Sequence, residues 1–315
     1  MTKVKFFCIG CLIAMVFILS GCVWQNSTSR EKFSSAAGVR YQVGLQRQTL
    51  VELKQADSQS SAWQKMYENL DLVMVCQPLE KKDDGSMSFE IAFDSIQAKR
   101  TDFLQTSRFT DSVTGLSGKS FTVTVTPWGM VICPLLEQEL KNLSANSFEE
   151  VKRPGTRLKR ADFLADVWAI QTLLFEAIAA SENTAKDTLQ TTRQLPFPIA
   201  DIHAPTADIT WQKEKTSSGI SLNGKELLTD KSARNMIPPI YPGQYKMEGL
   251  LGYLRHCKYE SVEGEITCRF KKNKLLPQEI QLERTIKASA DYILTQSNPQ
   301  CEITTHETLK AVLAK

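Results

Sequence analysis

Histidine is scarce in this chain, with three among 315 residues, at His203, His256 and His306. Their spacing matches no standard zinc-ligand pattern, so no metal site is expected. The Gly-x-Ser-x-Gly turn that would expose a hydrolase serine is missing. A strong positive surplus is also missing: 38 Lys and Arg face 35 Asp and Glu, and a nucleic-acid binder would show far more. Beyond residue 22 no stretch approaches the roughly 20 apolar residues of a membrane helix. No residue-level internal repeat is visible. No catalytic residue and no cofactor is therefore expected, and nucleic acid is excluded as a partner.

What the chain does have is a marked N-terminus. Lys3 and Lys5 precede an apolar run from Phe6 to Leu19. The run is long enough for a signal h-region and too short to span a bilayer comfortably. It ends in Leu19-Ser20-Gly21-Cys22. This segment resembles the lipobox of bacterial lipoproteins. The resemblance implies diacylation of the Cys22 thiol, cleavage before Cys22 and acylation of the new amino terminus. Three acyl chains exceed the two signals that stable anchoring takes. Residue 23 is Val rather than the Asp that marks inner-membrane retention in enterobacterial lipoproteins. By that resemblance the protein faces the periplasm from the outer membrane. Residues 1–21 are then the signal peptide, and residues 22–38, rich in Ser, are a tether of at most roughly 55 Å.

The body is ordinary in composition for a folded domain, with 42% hydrophobic residues. With the two signal lysines set aside, 36 basic and 35 acidic residues remain. Its organisation is read from periodicity. Val39, Tyr41, Val43, Leu45, Thr49, Val51 and Leu53 alternate with polar residues over about sixteen positions. Ile280, Leu282, Ile286, Ala288, Ala290, Tyr292 and Leu294 do the same. Both runs far exceed the usual strand of five or six residues. Further strands are expected at 70–79, 87–96, 121–125 and 209–215. Asp84-Gly85 is a hairpin signal. A helical turn is expected at 63–70, and a helix from Pro134 through Leu143. Residues 161–182 form the strongest helix, apolar on so many sides that it must be buried. Thr304 and Glu307 have the spacing of a capping box for a closing helix through Leu313.

These elements predict an α+β fold: a large curved antiparallel sheet, half-barrel-like, packed on a central buried helix. The first half of the sheet and the helices would occupy residues 39–182. The second half would occupy 183–315, in the same domain or a separate one. The layout resembles the half-barrel periplasmic lipoproteins, including the lipoprotein-carrier group, in pattern only.

Five cysteines remain beyond Cys22, and an oxidising periplasm permits disulfides. Residues 253–259 and 266–270 read as a hairpin turning at Glu263-Gly264. That hairpin would place Cys257 and Cys268 on one face, within cross-strand reach. Cys76 and Cys133 are a second candidate pair, which leaves Cys301 odd. Five reduced, buried thiols are the alternative.

Gly115 to Ser120 is similar to the end of a phosphate-binding loop. It has Val113 where the motif needs glycine, and it precedes a strand, so it reads as a turn. The basic stretch 152–160 reads as a solvated linker, with acidic head groups as its alternative partner. Asp162 and Asp166 suit a helix start.

Arg47 and Arg284 each interrupt the apolar face of a long strand. A buried guanidinium without a partner is too costly to leave so. Each therefore sits at a rim, at a bulge or against an acid. A sharper reading places both at the mouth of the sheet, holding an anionic head group while Tyr41, Leu45, Ile286 and Tyr292 line an apolar cleft. The function expected is thus a non-enzymatic envelope module, for an apolar or lipidic ligand. One alternative is an assembly or secretion accessory acting through protein contacts. Another is an exported hydrolase whose site is not legible.

Overall fold

Period-two alternation carries most of the chain into one sheet. The computed structural model describes residues 38–53, 62–101, 112–146, 148–150, 157–159, 163–183, 188–196, 205–229, 254–292 and 300–314. The signal, Cys22 and the tether lie outside them, as do His203 and Asp162.

The first strands are β1 (Val39–Leu53), β2 (Ala62–Lys81), β3 (Met87–Thr101), β4 (Ser120–Val125) and β5 (Val131–Ile132). Helix α1 (Pro134–Asn146), the short pair β6 (Phe148–Glu150) and β7 (Arg157–Lys159), and helix α2 (Leu164–Glu182) follow. The chain then returns to strands β8 (Thr188–Gln194), β9 (Thr206–Thr216), β10 (Gly219–Leu228), β11 (Leu254–Lys271), β12 (Glu279–Tyr292) and β13 (Gln300–Leu313). Eleven strands form an open, curved antiparallel sheet in the order β5-β4-β3-β2-β1-β13-β12-β11-β10-β9-β8. The expected halves, 39–182 and 183–315, thus share one continuous sheet, joined where β1 pairs with β13.

Strand lengths explain the curvature. The 20 residues of β2 would run about 65 Å if straight, and strands that long must twist and coil. Inward residues of β1 (Tyr41, Val43, Leu45) pack with those of β2 and β3 (Leu70, Met74, Phe89, Phe93) and of β12 (Ile280, Leu282) in the main core. Helix α2 lies in that core, and Phe175 meets Phe89 at a ring separation of 4.9 Å. The helix is apolar and long enough to cross a membrane, yet nearly all of it is buried against the sheet. Its length, about 28 Å, lets it touch β4 and β5 at one edge of the sheet and β8, β9 and β10 at the other. A smaller second core joins Val51, Met66, Tyr259, Val262, Ile286, Ala288, Tyr292 and Ile303.

Three sequence expectations are corrected. Residues 63–70 are strand, part of β2. There is no hairpin at Glu263-Gly264: residues 254–271 are one strand of 18 residues. Residues 304–313 are strand β13 rather than a capped helix. Its odd positions from Cys301 to Ala311 are buried in strict alternation. Two long partners, β1 and β12, offer backbone hydrogen bonds on both sides, and together they outweigh the local capping signal.

The cysteine pairing is corrected with them. Cys257 and Cys268 sit eleven positions apart on one strand, about 36 Å at strand rise and far beyond disulfide reach. Cys76, Cys133, Cys268 and Cys301 are all buried free thiols. Cys76 packs in the main core, while Cys133 donates its S–H to the Thr122 carbonyl at 3.3 Å. In the Gly115–Ser120 segment, Gly115 and Leu116 end a short 3-10 helix (Ser112–Leu116), a turn follows at Ser117 and Gly118, and Ser120 opens β4, with Lys119 paired to Glu139.

Candidate functional site

Between the two cores runs a row of buried charges. In register across the sheet stand Glu68 on β2, Arg47 on β1, Glu307 on β13, Arg284 on β12, Gly264 on β11 and Glu226 on β10. Arg47 donates through Nε and Nη2 to Glu307 Oε2, at 3.0 and 2.8 Å. Its Nη1 reaches Glu68 at 3.2 Å. The same guanidinium grips both oxygens of Asp166 on α2. Glu307 turns its other oxygen to Arg284 Nη1 at 2.8 Å. Arg284 then meets Glu226 twice, through Nε at 2.6 Å and Nη2 at 3.0 Å. Glu226 closes the chain on Arg193 of β8.

The row answers the question posed by Arg47 and Arg284. Both are buried against carboxylates, as one of the sequence alternatives held, and both also border the groove described below. Tyr41 and Leu45 are core residues on one side of the row, Ile286 and Tyr292 on the other. Tyr41 spends its hydroxyl on the Pro277 carbonyl at 2.7 Å.

Glu68, Asp166, Glu226, Glu307, Arg193 and Gly264 were not singled out from sequence as partners. Their signal was there in part: Glu307 and Glu226 interrupt inward faces as the arginines do. It was hidden because 304–313 read as helix and Gly264 as a turn.

Charge balance shapes the electrostatics. Three guanidiniums (Arg47, Arg193, Arg284) face five carboxyls (Glu68, Asp166, Glu176, Glu226, Glu307), all buried. The two acids in excess hold protons most tightly where the helix brings them in. Burial pushes Glu176 up to about 7, against the partial relief of Arg193. Burial likewise pushes Asp166 up to about 6, Arg47 opposing and Glu307 and Glu68 reinforcing. Glu226 behaves oppositely: burial would raise it, but Arg284 and Arg193 together outweigh that and hold it down at about 2.

Two hollows adjoin the row. On the outer face of the sheet lies a groove of about 920 Å³, walled by exposed or half-buried Gln46, Gln48, Tyr67, Lys225, Glu265 and His306. It is polar. Glu265 and Glu283 stand opposite one another there, both exposed to water. His306 shares a hydrogen bond with Thr285 at 3.1 Å. Among the described residues no group of His, Cys, Asp and Glu is arranged to hold a metal.

The second hollow, about 400 Å³, lies at the seam where the sheet fails to close. The turn after β4 approaches the far edge strand β8: a Cβ on Gly129 would stand 2.9 Å from Thr191 and 3.7 Å from Leu189. Gly129 also has φ +88, so the approach requires glycine. Trp128, Met130 and Val131 form one wall, Trp168, Thr172 and Glu176 of α2 the floor, and Gln190 to Gln194 of β8 the other wall. Trp128 is 63% exposed and Met130 50%. Ile132 and Leu135 are exposed nearby in sequence, so four of the seven large exposed apolar side chains among the described residues fall in 128–135.

No protein-family model and no curated protein matches the chain. Among solved structures, one described as lipid–protein interactions in lipovitellin aligns with 90% of this chain and 25% of its own, at TM-score 0.44 and 7% identity. An outer membrane channel from Pseudomonas putida F1 aligns with 90% of this chain and 98% of its own, at TM-score 0.19 and 8% identity. Both likenesses are too slight to assign a function, which rests on the residues themselves.

Proposed function

We propose that this is a lipid-anchored protein of the bacterial envelope that binds an apolar chain, without catalysis, at the seam of its half-barrel-like sheet. Cys22 in the Leu-Ser-Gly-Cys segment is the anchor, and Val23 favours the outer membrane, facing the periplasm. The observation that carries the binding role is the exposed pair Trp128 and Met130 beside a hollow of about 400 Å³. That volume suits a small-ligand site, and exposed apolar surface of this kind marks binding.

A second reading, an assembly or secretion accessory that grips an apolar segment of a protein partner, draws on the exposed Ile132 and Leu135.

Two measurements test the proposal. Mass spectrometry of the protein from a bacterial envelope should find Cys22 at the amino terminus and acylated, and Cys22→Ser should release it from the membrane. A Trp128→Ala, Met130→Ala double variant should keep its thermal midpoint and lose about tenfold in affinity for a decyl-chain ligand, the equivalent of about 1.4 kcal/mol. Unchanged affinity in a folded variant would remove the seam from consideration.

A further inference from the structure

Two residues that line the seam hollow, Arg193 and Glu176, carry buried polar atoms without a hydrogen-bond partner among the described residues. Arg193 is 5% exposed and spends Nη2 on Glu226, while its Nε and Nη1 have no hydrogen-bond partner among the described residues. Glu176 is 3% exposed, and its Oε2 has none either. Both residues line the hollow, together with Trp168 and Trp128. Orphaned polar groups of this kind cost free energy in proportion to their burial. Between them Arg193 and Glu176 hold two unused donor atoms and one unused acceptor, on residues that share the hollow with the apolar Trp128 and Met130.

We infer that the seam takes an uncharged N-acyl amide, its carbonyl accepting from Arg193, its N–H donating to Glu176 and its chain lying along Trp128 and Met130. This rests on the binding role proposed for the seam and names the ligand class. Charge decides between the possible heads. Carboxyls already outnumber guanidiniums in the connected row, so a ligand carboxylate would enter a site with no spare cation. An ammonium would be attracted to Glu176 but would sit beside Arg193. A neutral amide serves both orphaned groups and adds no charge to a low-dielectric site.

The test compares matched chains on the full-length lipidated protein in nanodiscs, with empty discs as reference. Titration calorimetry is run with decanamide, decanoate and decylammonium. Decanamide should bind at least about tenfold more tightly than either charged relative, the equivalent of about 1.4 kcal/mol. Its affinity should change little between about pH 6 and 8, whereas decanoate should weaken and decylammonium strengthen as Glu176 ionises. Glu176→Leu should erase the amide preference. Glu176→Gln should keep it, because the amide oxygen of glutamine still accepts. Urea unfolding confirms that each variant is folded, and the comparison of heads on the unaltered protein needs no variant at all. Tighter binding of decanoate or decylammonium would overturn the inference. Equal binding of all three would overturn it while leaving the apolar seam intact. Binding of none would overturn both readings.

Discussion

Glu226 reaches Arg284 across the backbone of Gly264. Gly264 lies between them in the row, paired to both, and a Cβ there would stand 2.3 Å from Glu226 Oε2. The glycine lets two strands that are not neighbours exchange a buried, doubly hydrogen-bonded ion pair at 2.6 and 3.0 Å. Gly264→Ala should therefore displace the carboxylate and destabilise the protein by about 3 kcal/mol, in the range for breaking a buried pair. Urea unfolding would report it. A loss below about 0.5 kcal/mol would mean that the row tolerates the methyl group and that the glycine has no such role.

Arg47 serves three carboxylates, Glu68, Asp166 and Glu307. Arg47→Met should cost about 3–5 kcal/mol near neutral pH, because Asp166 and Glu68 would lose Arg47 and Glu307 would be left with Arg284 alone. The cost should shrink at pH 5, where Asp166, raised to about 6, holds its proton. Thermal unfolding at pH 5 and 8 checks the direction. An equal loss at both would show that packing rather than charge is at stake.

Stability should fall on the alkaline side. Asp166 and Glu176 have folded values raised above 3.8 and 4.5, to about 6 and about 7. The stability linked to their protons is complete below the unfolded values and is lost as pH rises through the folded ones. Glu226 is lowered to about 2, so its contribution is complete above 4.5 and lost as pH falls toward 2. A maximum at about pH 4 follows for these three groups. Glu176→Gln should flatten the decline between pH 4.5 and 7 and raise stability at pH 8, by at most about 3 kcal/mol. Denaturant titrations across that range would show the opposite slope if the helix acids were ionised in the folded state.

The thiols should be inert. Burial pushes Cys76 and Cys268 far up, and raises Cys301 to about 11 with help from Asp291. Since the thiolate is the reactive form, maleimide should label Cys76, Cys133, Cys268 and Cys301 only in denaturant. A reductant should leave the thermal midpoint unchanged. A midpoint that drops on reduction would point to a disulfide after all.

The row also bears on register. Apolar alternation forbids a one-residue slip, which would turn every inward side chain outward. It does not forbid a slip of two, which keeps apolar residues inside. Such a slip would set Arg47 against Thr305 or Leu309 instead of Glu307, given the pairing of β1 with β13, and would leave buried charges unpaired. Buried ion pairs add little net stability. Their value in this sheet is that they fit one register.

The sequence by itself determined what depends on local order: long alternating strands, the Asp-Gly hairpin, the buried helix and the two arginines that interrupt apolar faces. Periodicity is written residue by residue, and a charge at an apolar position demands a partner wherever it lies. Only the tertiary structure decided which partner. Arg47 meets Glu307 across 260 positions of sequence, and only because β13 closes the sheet between β1 and β12. The same long-range pairing overrode the capping signal at Thr304, carried Gly264 through a strand instead of a turn, and set Cys257 and Cys268 far apart. Backbone hydrogen bonds on both sides of a long central strand are a tertiary property, and they exceed what three or four neighbouring residues can offer.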